Sequence, residues 1–137
     1  MENFTIEQDI PVWYVAAASF PEGVPAAWAE LHGLLPGSTG RQFYGISHPD
    51  QTGKITYKAG VAATSPEEAW QYGTPEVTVR KGVYASEMLQ LGSDAGRQIG
   101  EAFLRLLKHP ALDPQGYCLE MYLDGGMVRC MVPLVEK

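Results

Sequence analysis

The chain has 137 residues, 45% hydrophobic and 19% charged, which suits one domain with a substantial buried core. Its net charge of −6 argues against nucleic-acid binding, which needs a basic stripe to displace counterions. The acidity is uneven: residues 1–68 carry 3 basic and 8 acidic side chains, whereas residues 69–137 carry 7 and 8. The negative field of the first half would favour a cationic ligand, although solubility alone also explains it.

The sequence has no signal for secretion, membrane insertion, a disulfide, a metal site or a catalytic triad. The first residues have neither the basic nor the apolar segment of a secretory signal, and no apolar run reaches membrane-spanning length. We therefore expect a cytoplasmic protein with no membrane partner. Cys118 and Cys130 lack CxxC spacing, and no register of their predicted strands places them directly opposite. We expect no disulfide, no metal and no cofactor, and no Ser-His-Asp arrangement is present.

The first half of the chain predicts a strand, a helix and two further strands. A β-rich run covers residues 12–20, and apolar residues spaced three and four apart predict a helix over residues 25–35. Strands are predicted over residues 41–48 and 54–64, around a polar turn. A helix-start signature then opens the segment 65–75, in which one helical turn would present Trp70.

The second half repeats this order. Residues 76–91 read as a strand with a bulge at Lys81-Gly82, and a helix is predicted from residue 93 or 94 to 109, before Pro110. Strands over residues 117–124 and 127–135 follow, joined by a Gly-Gly turn.

The repeat also shows in the residues themselves. Ala27-Trp28-x-x-Leu31 matches Ala102-Phe103-x-x-Leu106 at an offset of 75, and the strands that follow match at an offset of 76. We expect a single domain over residues 1–137, with module one at about 10–64, a linker at 65–75 and module two at about 76–135.

Four segments carry a family resemblance: RQFYGIS at 41–47, VRKGVYA at 79–85, CLEMYL at 118–123 and VPL at 132–134. In this order they resemble the GyrI-like small-molecule-binding domains, which include multidrug-binding proteins and the effector-binding domains of AraC-type and MerR-type bacterial transcription regulators. The resemblance implies an α+β fold of duplicated β-α-β-β modules related by a pseudo-two-fold axis. Its antiparallel sheet would form a concave ligand cleft, with the helices on the other side. A helix-turn-helix segment has no room here, so the resemblance implies a stand-alone form without direct nucleic-acid binding.

Glu120 is the leading candidate for a site residue. Strand alternation places it on one face with Cys118 and Tyr122. A carboxylate among such neighbours either lies on a wet sheet face or lines a pocket, where it can hold a cation or transfer a proton. The resemblance favours the pocket, because relatives carry an acidic residue in the cleft at this position of the penultimate strand. The repeat aligns Glu120 with Tyr44.

Aromatic residues are the candidate walls of the pocket. Three strand tyrosines can either pack within the sheet or contact a ligand: Tyr44, Tyr84 and Tyr122. The resemblance assigns Tyr84 to the pocket. Trp70 could cover the cleft or cap the seam between the modules. Aromatic faces beside a carboxylate suit a flat or cationic ligand through cation–π attraction.

Three functions stay open at this point. The first is a binding protein for a small organic ligand, partly aromatic and cationic, anchored by Glu120. The second is a GyrI-like hydrolase that opens strained cyclopropane-type electrophiles with Glu120 and Tyr84 as catalytic residues. The third is a protein-interaction module analogous to the gyrase inhibitor that names the family. The sequence does not separate receptor from catalyst, and a homodimer is compatible with it.

Overall fold

The computed structural model of the chain describes residues 1–35 and 40–135. Its strands and helices, in chain order, are β1 (Glu2–Ile6), β2 (Ile10–Ala16), α1 (Val24–Leu34), β3 (Phe43–Pro49), β4 (Ile55–Ala62), α2 (Glu68–Tyr72), β5 (Glu76–Val79), β6 (Gly82–Gln90), α3 (Ala95–Leu106), β7 (Cys118–Tyr122) and β8 (Met127–Pro133). A short 3₁₀ turn, Asp124–Gly126, joins the last two strands.

All eight strands form one antiparallel sheet in the order β1-β6-β8-β7-β3-β4-β2-β5. The order has internal two-fold symmetry: β2, β4 and β3 of the first module mirror β6, β8 and β7 of the second. The two modules meet where β3 pairs with β7, and Gly45 lies directly opposite Glu120. The predicted α+β fold with duplicated β-α-β-β modules is confirmed.

Each of the two edge strands pairs with the module to which it does not belong in sequence. β5 pairs with β2 of the first module, and β1 pairs with β6 of the second. Only Arg80 and Lys81 separate β5 from β6, although β5 is the last strand of the sheet order and β6 is the second from the other end. The sheet must therefore curl into a half-barrel so that its two ends approach each other. The prediction of one continuous strand over residues 76–91 was wrong, because the chain crosses from one end of the sheet to the other at Arg80 and Lys81.

The two faces of the curled sheet have different coverings. The inner face packs on itself and its buried side chains are Ile6, Val12, Tyr44, Ile46, Val79, Tyr84, Leu119 and Met131. The outer face carries both long helices. α1 buries Ala27 and Leu31 on the first module, and α3 buries Ala102, Phe103 and Leu106 on the second. Among the described residues, no helix is long and apolar enough to span a bilayer.

A buried ionic cluster fixes the short helix α2 to the first module. The Trp13 indole N–H and Arg41 Nη2 each donate to Glu68 Oε1 over 2.6 Å, and the Thr64 hydroxyl donates to Oε2 over 2.8 Å. Burial alone would raise the pKa of Glu68, but these donors outweigh it and lower the pKa to about 2. Glu68 therefore ties together segments that are distant in sequence.

Candidate functional site

Glu120 lies in β7 at the centre of the sheet, on the outer face between the two helices. Its side chain is only 5% exposed. The Tyr57 hydroxyl donates to its Oε1 over 3.0 Å, and the Tyr122 hydroxyl donates to the same oxygen. The Trp28 indole N–H donates in turn to the Tyr57 oxygen over 3.1 Å. Aromatic donors from α1, β4 and β7 therefore hold the carboxyl group in place.

The second carboxyl oxygen of Glu120 faces open space. Within residues 1–35 and 40–135, no protein group donates to Oε2, and no basic side chain pairs with Glu120. No fully buried side-chain oxygen in that part of the chain lacks a partner. Oε2 must therefore reach the accessible cavity that Glu120 lines. It is free to accept a hydrogen bond or a positive charge from a ligand.

Gly45 makes room for this carboxyl group. A Cβ atom built at Gly45 would lie 2.6 Å from Glu120 Oε1 and would also overlap the Tyr57 hydroxyl. Any larger residue at this position would push the carboxyl out of its place. A glycine is therefore needed at this position of RQFYGIS, because the Glu120 and Tyr57 side chains fill the volume in front of it.

The electrostatics of the site make Glu120 harder to ionise than an ordinary carboxyl group. Burial raises the pKa of Glu120, and the hydrogen bonds from Tyr122 and Tyr57 offset only part of this effect. Burial and the nearby Glu120 charge raise the pKa of Tyr57 and of Tyr122. The same causes raise the pKa of Cys118, on the same face, to about 11. A nearby positive charge would reverse the effect on Glu120 and stabilise its ionised form.

The cavity in front of Glu120 has a volume of about 430 Å³. Its walls are mostly apolar and come from both helices and the sheet: Phe20, Pro21, Val24, Pro25, Trp28, Ser47, Tyr57, Gly96, Ile99, Gly100, Phe103 and Tyr122. Gly96 and Gly100 are four residues apart, so they share one side of α3 and leave space where side chains would fill the cavity. The arrangement is an apolar chamber with a single ionisable carboxyl at its floor.

The position of this cavity relative to the helices differs from the expectation. The predicted cleft lay on the sheet face away from the helices, whereas α1 and α3 both border the cavity that holds Glu120. The reason is strand alternation. Leu119 belongs to the core of the inner face, so Glu120 must point to the outer, helix-bearing face.

The structure brings only one of the predicted wall residues to Glu120, namely Tyr122. Tyr44 and Tyr84 are buried in the inner core, on the opposite face of the sheet. The Tyr84 hydroxyl donates to the Arg80 carbonyl over 2.7 Å and so is occupied there. Trp70 lies on α2 with 87% of its surface exposed, and it is not among the residues that line the cavity.

Two residues beside Glu120 were missed as site residues. Trp28 was noted only as part of the repeated helix motif, and Tyr57 was not singled out. The available signal was Gly45 in mid-strand, which indicates that large groups crowd that face. The offset of 75 that aligns the two helices also aligns Gly45 with Glu120. The offset of 76 that was used for the strands aligns Tyr44 with Glu120 instead. One residue of offset reverses the face.

The described residues contain no group of three or more His, Cys, Asp or Glu side chains that could hold a metal ion. The polar groups at the cavity are one carboxyl, two phenols, the Ser47 hydroxyl and an indole N–H. These groups can bind a cation, accept a hydrogen bond or exchange a proton.

Comparison with known proteins establishes the fold. No protein-family model and no curated protein sequence matches the chain. SAV2435 bound to tetraphenylphosphonium is similar in structure, with a TM-score of 0.70, 12% identity, and coverage of 98% of this chain and 93% of that chain. An integron cassette protein from Vibrio cholerae has a TM-score of 0.72 and 9% identity over 98% of this chain and 95% of that chain. A Staphylococcus aureus MU50 protein named for bacterial transcription regulation has a TM-score of 0.62 and 12% identity over 98% and 97%. At these identities the likeness shows a shared fold alone.

Proposed function

We propose that this protein is a GyrI-like domain that binds a partly aromatic cation between α1 and α3, with Glu120 as the charged anchor. The observation that carries the proposal is a buried carboxyl group that lines an apolar cavity and pairs with no basic side chain of residues 1–35 and 40–135. Such a carboxylate is costly to ionise unless a positive charge approaches it. SAV2435, which shares the fold, binds a cation of this type, tetraphenylphosphonium.

The walls of the cavity suit the apolar part of such a ligand. Trp28, Tyr57, Phe103 and Tyr122 contribute aromatic rings, and Ile99 contributes an aliphatic surface. Aromatic faces attract a cation by about 0.5–2 kcal/mol per contact, more when water is excluded. Charge recognition would come from Glu120 and from these rings, and shape recognition from the two helices.

The test uses two ligands that differ in charge and share three phenyl rings, methyltriphenylphosphonium and triphenylphosphine oxide. We expect Glu120→Gln to weaken phosphonium binding about 10- to 100-fold, as for loss of a charge-assisted contact, with little change for the neutral oxide. Glu101→Gln on α3 is the matched control, because Glu101 is exposed and does not line the cavity. Equal losses for the two ligands, measured by calorimetry, would contradict the anchor.

The affinity for the cation should depend on pH through Glu120. As the pH falls through the neutral and acidic range, the carboxyl should become protonated at a higher pH than an ordinary glutamate, because burial raises its pKa, and cation binding should weaken with it. The titratable groups that face it are Tyr57, Tyr122, Cys118 and Cys130. Burial, with the Glu120 charge, raises the pKa of Cys130 to about 12, and the pKa of the other three is also raised, so none of them ionises in this range. Glu120→Gln should bind with a flat pH profile, and an unchanged pH dependence in that variant would refute the assignment.

The raised pKa of Glu120 also predicts a stability effect of known sign. A group whose pKa is higher in the folded than in the unfolded state contributes stability, which is fully present below its pKa in the unfolded chain. This contribution is lost as the pH rises through its pKa in the folded protein. The free energy of unfolding of the ligand-free protein should therefore fall as the pH rises through the pKa of Glu120. A bound cation should restore the lost stability. Thermal unfolding with and without the phosphonium measures the difference.

A hydrolytic role would need a different set of residues from that expected. Tyr84 lies on the inner face, so it cannot act on a ligand that contacts Glu120 on the outer face. The phenols beside the carboxyl are those of Tyr57 and Tyr122, and both donate to it. Incubation with a cyclopropane-type electrophile decides the matter. Products that form with the wild type and not with Glu120→Gln would replace the binding proposal with an enzyme.

A further inference from the structure

A second cavity of about 340 Å³ lies beside the Glu120 cavity. Among the described residues, its lining is formed by four aromatic rings, those of Trp28, His32, Phe43 and Tyr122. Trp28 and Tyr122 line both cavities, so one pair of rings forms the wall between them. We call this second space the aromatic cavity.

The rings of the aromatic cavity are spaced and tilted as packed aromatic groups are. The Trp28 ring lies 6.0 Å from His32, 6.1 Å from Phe43 and 5.3 Å from Tyr122, measured between centroids. The angles between the ring planes are 30°, 69° and 80°. Faces and edges are therefore both presented, which is the geometry that receives a further planar ring by stacking and edge contact.

Local structure explains how the four rings meet. Trp28 and His32 are four residues apart on α1, so they share one side of the helix. Phe43 begins β3 and Tyr122 ends β7, and these strands pair at the centre of the sheet. The Gln42 amide donates to the Tyr122 carbonyl over 2.8 Å and holds the two strand ends together. His32 is exposed.

The aromatic cavity differs from the Glu120 cavity in charge. No carboxylate lines it among the described residues. A cation would therefore find no counter-charge there. A neutral planar ring loses little hydration on entry and gains contact with several rings.

We infer that the aromatic cavity is a second binding site, which takes a small neutral planar aromatic molecule independently of the cation site. The inference goes beyond the proposed function and does not require it. The two sites share Trp28 and Tyr122 as walls, yet only one of them contains a carboxyl group.

The experiment follows the imidazole C–H resonances of the three histidines by NMR while 2-naphthol is added. We expect a saturable ring-current shift at His32, with His48 and His109 as internal controls that do not move. Phe43→Leu and His32→Ala should each weaken 2-naphthol binding about 2- to 10-fold by calorimetry, because each removes one ring of the cavity. Glu30→Ala, an exposed position on α1 outside the cavity, should leave it unchanged.

Three outcomes would overturn the inference. These are no saturable shift at His32, an equal response to tetramethylammonium, or displacement of 2-naphthol by methyltriphenylphosphonium, which would place the neutral ring in the Glu120 cavity. Failure of the cation proposal is seen separately, in the phosphonium titration without 2-naphthol. His32→Ala alters an exposed helix residue, so the test does not depend on a destabilised variant.

Discussion

Glu68→Ala is expected to lower the free energy of unfolding by about 3 kcal/mol, because it leaves the Arg41 guanidinium half-buried without its partner. The same change removes the acceptor of the Trp13 indole N–H, which is fully buried in the core of the first module. Urea unfolding at neutral pH measures the loss. Glu67→Ala, at the exposed neighbouring position, is the control and should change stability by no more than about 0.5 kcal/mol.

The contribution of Glu68 should also depend on pH in a defined direction. Its pKa is lowered in the folded state to about 2, so its stabilisation is present above the ordinary carboxyl pKa and is lost as the pH falls towards 2. The stability difference between the wild type and Glu68→Ala should therefore shrink on acidification below about pH 4.5. A difference that stayed constant down to about pH 2 would show that the charge of Glu68 is not what stabilises the fold.

Gly45→Ala is expected to disrupt the anchor without removing any group that would contact a ligand. The added methyl group would occupy the space of the Glu120 carboxyl and the Tyr57 hydroxyl. We expect a loss of about 1–3 kcal/mol in stability from overpacking and at least about a tenfold loss in affinity for the phosphonium. Gly33→Ala is the matched control, since nothing lies near its added methyl group and it should stabilise α1 slightly.

A double-mutant cycle identifies the steric cause of this effect. Truncating the carboxyl with Glu120→Ala frees the space in front of residue 45. The destabilisation by Gly45→Ala should therefore be smaller in the Glu120→Ala background, giving a coupling energy of about 0.5–3 kcal/mol. Additive effects would mean that the methyl group and the carboxyl do not compete for one space.

The repeated module could be predicted from the sequence because its signals are local. Apolar spacing located α1 and α3, and turn residues separated β3 from β4 and β7 from β8. Strands β1 and β5 were not recognised as separate elements, since each pairs with the opposite module. Such exchange depends on the curl of the whole sheet, and no short window of sequence contains it.

The candidate site was predictable in its centre and not in its surroundings. Glu120 stood out because a carboxyl interrupts an apolar strand, and the structure does bury it beside Tyr122. Strand alternation gives two faces and does not say which one a helix covers. Tyr44 and Tyr84 were therefore grouped with Glu120, although they lie across the sheet from it.

A crystal structure of the complex with methyltriphenylphosphonium tests the central claim most directly. We predict the phosphonium between α1 and α3, within about 6 Å of the Glu120 carboxyl group, with phenyl rings against Trp28 and Phe103. A cation bound on the inner face beside Tyr44 and Tyr84, or anywhere away from Glu120, would contradict it.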